Sequence, residues 1–91
     1  MRATNTTILK RSAEAVFRVV DSEAVIVEPG KGMVNVVNEV GTRVWEWIDG
    51  VRTLDEIARL ISEEFDVTPE EAGKDLFEFV NELSENKLVE T

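Results

Sequence analysis

The spacing of apolar residues changes once along the chain, near residue 38, dividing it into a strand-forming half and a helical half. Val16-Phe17-Arg18-Val19-Val20 and Ala24-Val25-Ile26-Val27-Glu28 are rich in β-branched residues. Only Asp21-Ser22-Glu23 separates them, short enough for a hairpin. Pro29-Gly30-Lys31-Gly32 is turn chemistry, and Met33-Val34-Asn35-Val36-Val37 follows as a third strand. Three such runs predict a small antiparallel meander. Ahead of them Met1 to Ser12 shows no period and reads as a flexible arm, leaving residues 13–91 as the folded domain.

Beyond Asn38 the period becomes helical. Asn38 can cap a helix through Val40, Val44, Trp45 and Ile48, ended by Asp49-Gly50. Thr53-Leu54-Asp55-Glu56 has the form of a capping box, and Leu54, Ile57, Ala58, Ile61 and Phe65 recur behind it at helical spacing. Thr68-Pro69-Glu70-Glu71 repeats the signal, with proline at the first helical position, where its missing N–H costs nothing. The third helix carries Ala72, Leu76, Phe79, Val80 and Leu83 on one stripe, and Leu88-Val89-Glu90 closes the chain as a short extended tail. This order predicts an α+β domain, winged helix-turn-helix-like, in which a three-stranded antiparallel sheet is followed by three helices.

Composition narrows the function. Ninety-one residues suffice for one modest core. There is no cysteine and no histidine, which removes disulfides, thiolate chemistry and the usual general base near neutral pH. The four serines Ser12, Ser22, Ser62 and Ser84 have no base to activate them, and no phosphate loop or calcium loop is present. Acid pairs such as Glu63-Glu64 and Glu70-Glu71 follow helix-face and capping logic. No catalytic site, metal or cofactor is expected. No signal or membrane segment is visible, so a cytoplasmic location is the expectation.

The net charge of −9 is unevenly placed. Met1 to Arg52 is balanced, whereas Thr53 to Thr91 sets Arg59, Lys74 and Lys87 against twelve acidic residues. A winged helix invites comparison with DNA-binding regulators. The third helix, however, would bring Glu70, Glu71, Asp75, Glu78, Glu82 and Glu85 toward phosphates, which repels nucleic acid at every turn.

The third strand is the candidate binding element. Edges are usually guarded by charge, proline or a bulge, yet Met33 to Val37 has only Asn35 as a polar residue. Such an edge is covered by the chain itself, used in a homodimer, or offered to an extended peptide; the residues alone leave these three open. In the third helix Phe77 points away from the core stripe. It is either the margin of that stripe or the lining of a groove, and Gly73, one turn earlier, either lets another backbone approach or is a mildly unfavourable filler in the helix. Trp45 reads as core. Trp47 lies on another face, as more core or as an anchor for a partner.

The run Val37-Asn38-Glu39-Val40-Gly41-Thr42-Arg43-Val44-Trp45-Glu46-Trp47-Ile48-Asp49-Gly50, followed by Arg52-Thr53-Leu54-Asp55-Glu56-Ile57, resembles the PqqD family. Asp75-Leu76-Phe77-Glu78-Phe79-Val80 through Leu83, Leu88 and Val89 is similar to that family's third helix and end. The likeness covers about residues 8 to 90, with Val37 in place of the usual Leu and Trp47 in place of an aliphatic residue. It implies a RiPP recognition element with no catalysis of its own. Such a domain takes the leader of a ribosomally made precursor peptide as an added strand and presents it to a radical SAM or other modifying enzyme, as in pyrroloquinoline quinone biosynthesis. Carried onto this chain, the implied groove lies between Met33, Val34, Asn35, Val36 and Val37 and the Gly73, Phe77 and Asn81 side of the third helix.

Overall fold

In the computed structural model, which describes residues 3–28, 30, 32 and 34–91, the meander forms from the β-branched runs. Strands β2 (Val16–Val20), β3 (Glu23–Val27) and β4 (Val34–Val37) pair antiparallel in that order. The β2–β3 turn is the two residues Asp21 and Ser22, both with positive φ (50° and 66°), the primed geometry that matches strand twist. Alternation then divides the sheet into two faces. Ala24 and Ile26 are buried, while Val16, Val20, Val34 and Val36 are exposed on the opposite side.

Each helix starts where its cap residue stands. Asn38 Oδ1 accepts from Gly41 N (2.9 Å) at the head of α1 (Glu39–Trp47). Thr53 and Glu56 form the complete capping box of α2 (Leu54–Phe65). At α3 (Pro69–Glu85) the Thr68 hydroxyl accepts from Glu71 N (3.2 Å), and among the described residues only this half of the second box forms. The buried stripe of α3 is Ala72, Leu76, Val80 and Leu83, and it packs with Ile57 and Ile61 of α2 and with Trp45 in one core. No described helix is long and apolar enough to cross a membrane.

The architecture is α+β with three helices, as the pattern predicts, and it also contains a second sheet. This sheet has the order β5-β1-β6, with β1 (Ile8–Arg11) at its centre between β5 (Asp49–Thr53) and β6 (Val89–Glu90). Residues 8–11, read from the sequence as part of a flexible arm, are thus a central strand, and Leu9 is only 1% exposed. A four-residue strand is too short to declare a period, and its partners lie about 40 and 80 residues away. The segment before it also meets α2. Leu54 N and Asp55 N, two of the helix's unpaired first-turn donors, bond to Thr7 O and Asn5 O (both 2.9 Å).

The Asp49-Gly50 turn does end α1, but the chain then runs on as β5. Gly50 has φ +80°, and the Asp49 carboxylate accepts from Val51 N (2.9 Å) and Arg52 N (3.0 Å). Trp45 is fully buried, as expected, with Phe17 edge-on to it at 5.5 Å. Trp47 is not an exposed anchor: it is 8% exposed, and the Arg43 guanidinium covers its ring at 4.7 Å. Arg43 in turn holds Glu64 of α2 (2.7 Å) and Glu46 (3.0 Å), which ties α1 to α2.

Candidate functional site

β4 pairs with β3 on one side and lies at the edge of its sheet. Which of its backbone groups are free follows from the hairpin. A two-residue turn makes Val20 and Glu23 a hydrogen-bonded pair, so Glu23, Val25 and Val27 direct their N–H and C=O toward β2. Ala24 and Ile26 therefore face β4, opposite Val37 and Asn35. In agreement, Ala24 N donates on that side, to Thr42 Oγ1 at 2.7 Å. It follows that Asn35 and the Val37 N–H turn to β3, while Val37 O accepts at 3.4 Å from the Thr42 hydroxyl that receives Ala24 N. Val34 and Val36 point theirs away from the sheet.

The side chains alternate in the same way. Val34 and Val36 are 57% and 66% exposed, whereas Asn35 and Val37 turn to the inner face. Asn35 Nδ2 donates to Glu28 Oε2 (2.8 Å), giving the buried Glu28 a partner. Val37 leads into α1. There Thr42, a buried polar residue, donates to Asn38 O (2.9 Å) while accepting from Ala24, closing the sheet end against the helix.

A groove of about 460 Å3 lies between this junction and α3. Its floor is apolar, formed by Val37, Val40, Gly41, Val44, Ile61, Phe65, Val67, Leu76 and Phe79. Its α3 wall carries Asp75, Glu78 and Glu82. The two sides meet closely at Gly41, where an added Cβ would stand 3.2 Å from Val37 Cβ and 3.4 Å from Phe79 Cζ. Three elements converge on one missing methyl.

Several predicted site residues fall here and several do not. Val37 lines the groove. Val34, Asn35 and Val36 form the strand leading to it, and Met33 lies outside the described residues. Gly73, Phe77 and Asn81 do not line the groove. They follow the other flank of the buried α3 stripe, where Phe77 is partly buried against the core and an added Cβ on Gly73 would touch nothing within 4 Å. Helical spacing offers two flanks beside one core stripe, and only the hand of the tertiary packing decides which faces the strand. The groove residues not picked out were thus Phe79, read as core, and the three acids, read only as charge that repels nucleic acid.

Two solved structures of the same fold are complexes with leader peptides. The structure titled TbiB1 in complex with the TbiA(beta) leader peptide matches with a TM-score of 0.81 and 27% identity, covering 89% of this chain and 94% of that one. Lasso peptide synthetase B1 complexed with the leader peptide shares the fold at a TM-score of 0.81 and 16% identity, over 93% of this chain and 100% of that one. So does the PqqD truncation of Methylobacterium extorquens PqqCD, a stand-alone RiPP recognition element, at 0.80 and 14%, over 99% and 96%.

The family described as coenzyme PQQ synthesis protein D (PqqD) matches residues 23–89, and the chain belongs to that family. A curated relative, the PqqA binding protein of Rhizobium meliloti (strain 1021), is 34% identical over 71 residues, covering 78% of this chain and 70% of its own.

Proposed function

We propose that this protein is a RiPP recognition element. It binds the leader of a ribosomally made precursor peptide as an added strand on β4, against the groove beneath α3, and presents it to a radical SAM or other modifying enzyme. It contributes no catalysis of its own. The observation that carries this reading is the outward direction of the Val34 and Val36 backbone groups at a sheet edge that ends in an apolar groove. The PqqA-binding name of the Rhizobium relative and the leader complex of TbiB1, the latter at 27% identity, support it. The valines exposed on the outer sheet face next to β4 suit a further contact with the modifying enzyme.

The test is amide exchange with synthetic PqqA as the first ligand. On saturation the Val34 and Val36 amides gain protection, while Asn35 and Val37, already paired, change less. A saturated complex in which Val34 and Val36 exchange as fast as in the free protein rules out strand addition at β4.

A further inference from the structure

We infer that the groove selects a peptide segment bearing lysine or arginine where it faces α3, and discriminates against acidic segments. This rests on the leader-docking reading above and specifies the chemistry of the ligand that reading leaves open. Asp75, Glu78 and Glu82 form the α3 wall, and among the described residues no basic side chain lines the groove. Among the described residues, the five ion pairs are Lys10–Glu90, Arg43–Glu46, Arg43–Glu64, Arg52–Asp49 and Arg59–Asp55, and none of them engages a wall carboxylate.

The rest of the molecule adds to this local field. A net charge of −9, with the excess in the half that contains α3, draws in a cationic partner and repels an anionic one before contact. Geometry adds specificity. Glu78 and Glu82 stand four residues apart on one helix face, about 6 Å along the axis. Same-face side chains of an extended peptide recur every ~6.7 Å. A strand added to β4 turns alternate residues toward the inner face, the side of Asn35 and Val37. These residues meet an apolar floor and, beyond it, the carboxylates. The favoured ligand is therefore an extended segment that presents apolar and basic side chains on the same face.

The experiment is selection of displayed, randomised short peptides on the intact chain and on an Asp75→Asn, Glu78→Gln, Glu82→Gln variant, whose changes lie at exposed helix positions. Winners on the native chain should be enriched in Lys and Arg over Asp and Glu at alternate positions. Their synthetic versions should lose about tenfold in affinity when those residues become Glu, and should weaken with added salt. The neutral variant should lose both the enrichment and the salt dependence while still binding extended apolar peptides.

Apolar winners with no charge preference, protecting Val34 and Val36 on both proteins, would overturn this inference and leave strand docking standing. A selection that yields no β4-binding peptide on either protein overturns both.

Discussion

Gly41 shows how much can depend on one absent methyl group. It sits in the first turn of α1, where alanine would ordinarily improve a helix by nearly 1 kcal/mol. Here the new Cβ would press on Val37 and on the tip of Phe79. Phe79 borders open groove and can move; Val37 is held in the ladder. Gly41→Ala is therefore expected to leave the unfolding free energy within about 1 kcal/mol of the native value, yet weaken leader binding, because the displaced ring occupies the space the ligand needs. Calorimetric titration beside urea unfolding separates the two effects. The pair Phe77 and Phe79 tests the flank of α3. Phe79→Ala should lower leader affinity severalfold, whereas Phe77→Ala should cost roughly 2 kcal/mol of stability with affinity retained. The sequence sets Phe77 off the stripe but reads Phe79 as part of it. Their division of labour is not legible there, because it depends on the direction from which β4 approaches.

Elements whose signal is local could be read directly. The caps at Asn38, Thr53 and Thr68 and the β2–β3 connection, read one residue longer than the Asp21-Ser22 turn that forms, act within four residues, and the three strands of the meander and all three helices lie close to where their periods put them. β1, β5 and β6 could not be read this way, since each is short and defined only by distant partners. The edge itself invites a backbone test. Proline at Val36 removes an N–H that points away from β3, so Val36→Pro should fold and lose its leader, whereas Asn35→Pro removes a ladder bond and should destabilise the sheet. Circular dichroism and a binding titration on both variants check this.

The caps also set an acid limit. Arg52 and Val51 backbone N–H groups hold the Asp49 carboxyl below its ordinary range, the Thr53 backbone does so for Glu56, and the Arg43 guanidinium for Glu64. A depressed native pKa contributes stability that is fully present above the unfolded value and is lost as pH falls through the native one. Thermal midpoints should therefore be level above about pH 5 and decline below roughly pH 4, and Glu56→Gln should make that decline shallower.

The molecule is closed by its two ends. β1 lies between β5 and β6, Leu9 is in the core, and the chain before β1 caps α2. Leu9→Ala should cost about 2–4 kcal/mol. Deletion through Arg11 should abolish the dispersed amide spectrum of the folded protein; a truncated chain that kept that spectrum would return these residues to the status of a loose arm. The charge asymmetry was visible in the sequence, but its meaning depended on the fold, which places three of the acids on a groove wall instead of spreading them through solvent.

The outward N–H and C=O groups of Val34 and Val36 are few, and a second copy that paired along β4 would have to use the same ones as a peptide. Twofold pairing of β4 with β4 and capture of a leader draw on the same donors and acceptors and exclude one another. Were copies to pair in this way when idle, each arriving leader would have to displace a twin. The apparent grip on cargo would then tighten on dilution, with no separate signal required.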